Sequence, residues 1–303
     1  MNEVLILENV CKSYGKIPIV KEINLKINKG EIFGFLGANG AGKTTTIRMI
    51  TGLVKPDRGS IYIDGYDIKK QFTKAMKSVG CIVENPDMYG EFTGRENLKI
   101  FATLYGNVDK KRIDEVIDII GLGSRIDDRV SKYSLGMKQR LGLGQALLPK
   151  PKLLILDEPT NGLDPIGIID FRKIVRDLVA ECGTAVLISS HILAEIEQMC
   201  NKVAFIDNGR IVSVEDTANL KYKNIESVGL RVRDIEKAII ELKQAIFIKT
   251  INRQDDTLLL TYDKDCFPIL INFLTSRGIE VLDIYKVQQN LEERFMEIAG
   301  SVK

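Results

Sequence analysis

Short apolar runs that end in polar residues recur along the chain and predict a buried, largely parallel sheet. The runs at 32–36, 153–156 and 185–188 contain no charged residue, as expected of strands buried on both faces. Residues 79–83 form another short run of the same kind. Glycines, acids or a histidine follow these runs, so we expect the functional groups at the carboxyl edge of the sheet, where ligands bind in open α/β sheets.

Between residues 91 and 148 the hydrophobic pattern changes from strand to helix. Thr93 and Glu96 fit a capping box, with apolar residues at helical spacing behind them. A second helix is predicted over about 111–120, and a third begins near Ser134. The pattern therefore predicts a helical insertion, at about 91–148, between two parts of an α/β core.

After about residue 223 the pattern of strands and helices changes again and predicts a small second domain. The order β-α-β-β-α-β resembles a ferredoxin-like domain. We expect domains over 1–222 and 223–303, the second serving regulation or docking, or simply stabilising the chain as a cap. The predicted strands are 228–232, 246–251, 257–262 and 281–287, and the predicted helices are 235–243, 268–276 and 291–299.

One glycine-rich stretch, residues 37–44, carries the clearest chemical signal. It satisfies G-x-x-x-x-G-K-[ST], the phosphate-binding loop, and lies between a predicted strand and a predicted helix. Its glycines let successive backbone N–H groups turn inward, and the helix points its positive end at the same place. We expect Lys43 to reach the β and γ phosphates and the Thr44 hydroxyl to ligate Mg²⁺.

Two acids, a histidine and a tyrosine are the other candidate site residues. Asp157 ends a buried strand beside the phosphate loop and suits Mg²⁺ binding. Glu158 should point to the other side of the pleat and polarise an attacking water. His191 lies at the same sheet edge and is expected to sense the γ phosphate, and Tyr14 is placed to stack on a purine base. For each of the four, a structural role in a turn or in packing is the alternative.

Composition excludes few functional classes. With 303 residues, 45% hydrophobic and 28% charged, the chain is globular and long enough for two domains. Its 43 basic and 41 acidic residues leave a net charge of +2, which gives no bulk argument for nucleic acid or an anionic membrane as a partner. No apolar run has the length of a membrane span. We interpret the five scattered cysteines (Cys11, Cys81, Cys182, Cys200 and Cys266) as reduced thiols in a cytosolic protein.

Together, the order and spacing of these motifs resemble the ATP-binding-cassette ATPases, the nucleotide-binding subunits of ABC transporters, over about residues 3–220. The resemblance implies a P-loop NTPase core with a helical subdomain and a small α+β domain after it, with ATP and Mg²⁺ as cofactors. It makes Glu158 the catalytic glutamate, His191 the switch histidine and Tyr14 the adenine-stacking aromatic. The nucleotide-binding residues carried over from the Walker A motif are Gly37, Ala38, Asn39, Gly40, Ala41, Gly42, Lys43, Thr44 and Thr45.

Two places depart from the family's pattern. The signature LSGGQ is replaced by residues 133–137, Tyr-Ser-Leu-Gly-Met, which keep Ser134 and Gly136 to face a γ phosphate at a helix N-terminus. The family's Q-loop glutamine is replaced by Glu84, whose carboxylate is expected to bind Mg²⁺ but cannot donate a hydrogen bond as an amide does. That glutamate and the C-terminal unit, which includes 291–295, are similar to bacitracin-resistance and lantibiotic-protection exporters.

The resemblance implies an ATP-hydrolysing subunit that powers export of a peptide antibiotic. It implies a homodimer of cassettes, bound to integral membrane permease subunits at the cytoplasmic face of the membrane, with no nucleic-acid partner. One rival is a non-transport ABC ATPase of translation or DNA repair, disfavoured by the single cassette and the absence of sustained heptads. The other rival is an ATP-dependent sensor that signals through its C-terminal domain.

Overall fold

The chain forms two compact units in the computed structural model, residues 1–217 and residues 218–303. The predicted domain boundary at 222/223, Glu84 and the predicted helix 291–299 lie outside the residues that the structure describes. The described residues are 2–83, 86–106, 108–217, 225–263 and 265–287.

Ten strands and seven α-helices make up the described part of the first unit. Its strands are β1 (Glu3–Tyr14), β2 (Ile17–Asn28), β3 (Ile32–Leu36), β4 (Arg58–Ile63), β5 (Tyr66–Asp67), β6 (Val79–Ile82), β7 (Leu153–Asp157), β8 (Ala185–Ser190), β9 (Lys202–Asp207) and β10 (Arg210–Asp216). Its helices are α1 (Lys43–Ile50), α2 (Phe72–Met76), α3 (Gly94–Tyr105), α4 (Lys110–Ile119), α5 (Leu135–Leu147), α6 (Pro165–Cys182) and α7 (Leu193–Met199), with single 3₁₀ turns at Gly123–Arg125 and Val130–Lys132.

A six-stranded sheet in the order β10-β9-β3-β8-β7-β6 forms the centre of this unit. Its strands are parallel except β10, which pairs antiparallel with β9 at one edge. Every residue of β3, β7 and β8 is buried, which confirms the prediction of strands covered on both faces. A second, antiparallel sheet, β2-β1-β4-β5, shares one apolar core with the first sheet and α1.

Helices α3, α4 and α5 lie between β6 and β7 in the chain and form the predicted helical insertion. Thr93 caps α3 as a capping box: its hydroxyl accepts from the Glu96 N–H, and the Glu96 carboxylate accepts from the Thr93 N–H at 2.8 Å. The sequence pattern had indicated this box, so the prediction is confirmed.

The first hairpin joins β1 and β2 through a short turn. Strand β1 continues to Tyr14, because Lys12, Ser13 and Tyr14 all pair with residues of β2. The turn is confined to the two residues that follow, with Gly15 in the left-handed region at φ +60°. The pairing therefore fixes Tyr14 at the end of a strand rather than inside a loop.

The described part of the second unit is a four-stranded antiparallel sheet with two helices and its own apolar core. Its elements are β11 (Ile225–Val232), α8 (Ile235–Leu242), β12 (Ile248–Gln254), β13 (Thr257–Asp263), α9 (Phe267–Ser276) and β14 (Val281–Val287). The sheet order is β12-β13-β11-β14, and the elements follow the β-α-β-β-α-β order that the sequence indicates.

Gly80, on β6, provides a test of how closely the helical insertion packs against the central sheet. A Cβ there would overlap the Ala146 carbonyl oxygen at the end of α5 and would lie 3.1 Å from Cγ of Pro151. Because neither group can rotate away, we expect Gly80→Ala to lower the free energy of unfolding by about 2 kcal/mol, measured by urea unfolding followed by circular dichroism. Gly123→Ala is the matched control, since a Cβ at Gly123 meets no atom within 4 Å. Equal midpoints for the two variants would contradict the clash.

Candidate functional site

A pocket of about 380 Å³ opens at the carboxyl edge of the central sheet. It brings together residues that lie far apart in the sequence, from the loop after β3, the turn after β7, the tip of β8 and the first hairpin. The lining residues are Tyr14, Ile19, Asn39, Gly40, Gly42, Lys43, Thr44, Thr45, Glu158, Asn161 and His191.

The glycine-rich loop forms one wall of the pocket and leads into α1. Gly40 and Gly42 both adopt positive φ, at +83° and +106°, a conformation that side chains other than glycine rarely tolerate. Gly37 has no room for a Cβ, which would overlap the Ile206 carbonyl oxygen. Gly42 is the N-cap of α1 and supplies no side-chain cap, so the first amides of the helix are left for another acceptor. Loop and helix thus offer N–H donors and a positive dipole end to an anion.

Lys43 places a buried positive charge at this wall. Its side chain is 5% exposed, and its Nζ donates to the carbonyl oxygens of Gly37 at 2.7 Å and Ala38 at 3.3 Å. Oε1 of Glu158 lies 3.5 Å from the same nitrogen. A buried ammonium requires such polar partners. Because these contacts hold Nζ within the pocket lining, the charge is available to phosphate oxygens.

Asp157, the last residue of β7, is held by a serine that sequence reasoning missed. Ser189 Oγ donates to Asp157 Oδ1 at 2.5 Å and accepts from the Glu158 N–H at 3.0 Å. Asp157 is 4% exposed and is not one of the residues lining the pocket. The signal that could have found Ser189 is a polar residue near the tip of an otherwise apolar strand.

Glu158 lies in the turn after β7 and not in the strand itself. The prediction used strand alternation to place its side chain across the pleat, but β7 ends at Asp157 and Glu158 has φ +49°, in the left-handed region. Its direction is therefore set by the turn and not by alternation. Its Oε2 lies 2.7 Å from His191 Nδ1, while Oε1 faces Lys43, so one carboxylate contacts both side chains.

Tyr14 stands at the rim of the pocket, with 49% of its surface exposed. Asp57 anchors this strand end, since its carboxylate accepts from Lys12 Nζ at 2.8 Å and from the Ser13 N–H at 2.7 Å. The bond from Lys12 lowers the pKa of Asp57. The aromatic face of Tyr14 suits an aromatic base. Ile19 adds an apolar wall to the pocket, and the sequence pattern did not mark it as a site residue.

Of the remaining predicted site residues, Ser134 and Gly136 do not line this pocket. Ser134 is the N-cap of α5, where its Oγ accepts from the Met137 N–H at 3.3 Å. Ser134 and Leu135 are both exposed, so this helix N-terminus lies at the surface of the chain.

Comparisons with known proteins agree with this geometry. A family model described as ABC transporter matches residues 20–161. The chain is 40% identical over 301 residues to the bacitracin transport ATP-binding protein BcrA of Bacillus licheniformis, covering 99% of this chain and 98% of that protein. It is 42% identical over 210 residues to the lantibiotic transport ATP-binding protein SrtF of Streptococcus pyogenes, covering 69% of this chain and 89% of that protein.

A solved structure of an ATP-binding subunit of an ABC transporter matches with a TM-score of 0.64 at 30% identity. The match covers 72% of this chain and 92% of that chain. Within the described ranges, the structure contains no helix with the length and apolarity needed to cross a membrane. The phosphate loop, the two acids, the histidine and these relatives lead to one conclusion: the chain belongs to the ATP-binding subunits of ABC transporters and is an ATPase of that family.

Proposed function

We propose that this chain hydrolyses ATP, with Mg²⁺, to drive export of a peptide antibiotic of the bacitracin or lantibiotic type through membrane subunits supplied by other chains. The observation that carries the proposal is the arrangement of Lys43, Glu158 and His191 around one pocket. The antibiotic cargo is supported by relatives named for bacitracin and lantibiotic transport, the first of which matches almost the whole chain.

The pocket and the adjoining end of β7 would supply a partner for each part of ATP and for its metal. The triphosphate would lie against the amides of residues 37–45 and the ammonium of Lys43, with the base on Tyr14. Thr44 and Asp157 supply the hydroxyl and carboxylate oxygens that Mg²⁺ prefers. Asp157 fits this role because the bond from Ser189 orients its carboxylate. Glu84, which the sequence predicts as a further metal ligand, is included in the proposal from the sequence alone, because it lies outside the described residues.

Hydrolysis requires a water to attack the γ phosphorus while the bond to the oxygen bridging the β and γ phosphates breaks, which leaves ADP and inorganic phosphate. Glu158 would polarise that water, and His191, 2.7 Å away, would both orient Glu158 and contact the γ phosphate. Lys43 would offset the negative charge that shifts onto the leaving oxygen.

A second copy of the chain would complete each site. Ser134 and Gly136 start a helix whose N-terminus is at the surface and outside the pocket of its own chain. A γ phosphate on another copy is a suitable acceptor for such an N-terminus. We therefore propose a homodimer with two shared ATP sites, bound peripherally to permease subunits at the cytoplasmic face of the membrane.

Replacement of Lys43 tests phosphate binding. Because a hydrogen bond to a charged group contributes about 1.5–3 kcal/mol, we expect Lys43→Ala to weaken ATP binding by roughly 10- to 100-fold, measured by calorimetry. Lys99→Ala is the control, since Lys99 is an exposed lysine on α3 and lies outside the pocket. Unchanged ATP affinity in Lys43→Ala would reject this role for the lysine.

Replacement of Glu158 separates binding from chemistry. Glu158→Gln keeps the shape of the side chain but loses the base, so we expect ATP affinity near wild type and a kcat lowered by about 10²- to 10⁴-fold. Steady-state phosphate release is the measurement, with Glu181→Gln, an exposed glutamate near the end of α6, as the control. Wild-type phosphate release from Glu158→Gln would refute its assignment as the base.

The transport part is tested by purification of tagged Glu158→Gln chain from detergent-solubilised membranes in the presence of ATP. We expect a polytopic membrane protein to co-purify, and bacitracin or a lantibiotic to stimulate ATP hydrolysis by the wild-type complex. Recovery of only soluble proteins, ribosomes or DNA would remove the transport claim and leave the ATPase. Omission of ATP provides the control for nucleotide-dependent association.

A further inference from the structure

Glu195, in the first turn of α7, contacts the turn after β7 and the end of β8, next to the two proposed catalytic side chains. Its Oε2 accepts from Thr160 Oγ1 at 2.6 Å and from Ser190 Oγ at 3.1 Å. Thr160 follows Glu158 by two residues, and Ser190 directly precedes His191. We propose that Glu195 is a positioning residue that holds Glu158 and His191 at their 2.7 Å contact. The inference rests on the roles proposed above for those two side chains.

The two hydroxyls that meet at Glu195 have little access to water. Thr160 is 5% exposed and Ser190 is 2% exposed, so each depends on a protein acceptor for its proton. The Ser190 hydroxyl also accepts from the Ile192 N–H at 2.9 Å, and the Ile192 carbonyl, at 3.4 Å, is the more distant acceptor for its proton. Removal of the carboxylate would leave two buried hydroxyls without the nearest acceptor for their protons.

The contact at Glu195 is a second attachment between the turn after β7 and the end of β8, which are joined already at Ser189. Ser189 fixes the start of the turn through the Glu158 N–H, at 3.0 Å from Ser189 Oγ. Beyond that point, Thr160 and Ser190 are tied to each other through the Glu195 carboxylate. The turn that carries Glu158 is therefore attached to the end of β8 on both sides of Glu158, through its N–H and through Thr160.

This arrangement affects the chemical step and leaves ATP binding alone. Glu195 is absent from the pocket lining, and its two contacts are to residues outside the phosphate loop. A displacement of about 1 Å between catalytic groups lowers rates by about 100-fold. Loss of the Glu195 carboxylate should therefore lower kcat and leave ATP affinity unchanged.

Three substitutions test the proposal by kinetics. We expect Glu195→Ala to lower kcat by about 10- to 100-fold, with KM for ATP within about twofold of wild type. Glu195→Gln keeps an oxygen that accepts from both hydroxyls, so its kcat should stay within about threefold of wild type. Thr160→Val keeps the side-chain volume, removes one donor and should lower kcat; it should add no further loss to Glu195→Ala, which has already lost the hydrogen bond from Thr160.

The single histidine of the chain offers a readout that is independent of activity. His191 is the only imidazole in 303 residues, so its ring signals in NMR spectra need no assignment when the tag contains no histidine. In the nucleotide-free chain, Glu195→Ala should move these signals toward their positions in Glu158→Ala, where the partner carboxylate is gone. Glu195→Gln should leave them at their wild-type positions.

Wild-type kcat in Glu195→Ala, equal losses in the alanine and glutamine variants, or unshifted His191 signals would each overturn the proposal. If Glu195→Ala does not fold, the other two variants still test the proposal. We expect a near-normal kcat for Glu195→Gln and a reduced kcat for Thr160→Val. Failure of the proposed function looks different: wild-type chain without ATPase activity, or Glu158→Gln with normal turnover, rejects the catalytic roles themselves.

Discussion

The buried charge of Lys43 is the constraint on which the rest of the site depends. A buried ammonium needs partners, and the chain provides them with two loop carbonyls and the Glu158 carboxylate. The carbonyls of Gly37 and Ala38 face Nζ because the loop adopts conformations that its glycines permit. The same charge that holds the phosphate loop in shape therefore also brings the turn after β7 to its side.

Strand register explains why the other groups arrive at the same place. Pairing of β7 with β8 puts Asp157 opposite Ser189, and pairing of β3 with β8 puts Leu36 opposite Ser190. The three strands consequently end at one level, and the loops that follow them converge on the pocket. The hydrogen bonds from Ser189 and to Glu195 then refine an arrangement that the parallel sheet has already set.

The sequence predicts well those features that depend on residues close together in the chain. The phosphate loop, the buried strands and the Thr93 capping box each depend on neighbouring residues, and the structure has all three. Ser189 escaped prediction because its role depends on which strand pairs with β7, which is a tertiary fact. Alternation does not set the direction of Glu158, because it applies only within a strand and β7 ends one residue earlier, at Asp157.

Leu135, one of the residues by which the signature stretch departs from the family's pattern, packs against the turn after β7. Cδ2 of Leu135 lies only 3.0 Å from where a Cβ would stand on Gly162, whose φ is +76°. Leu163 lies in turn 3.9 Å from the corresponding position on Gly136. Each leucine thus covers a glycine of the other segment, and a larger residue at Gly162 would push Leu135 away. The leucine in the signature and the glycine in the turn after Glu158 are therefore one packing unit, which links the start of α5 to the turn that carries the proposed base.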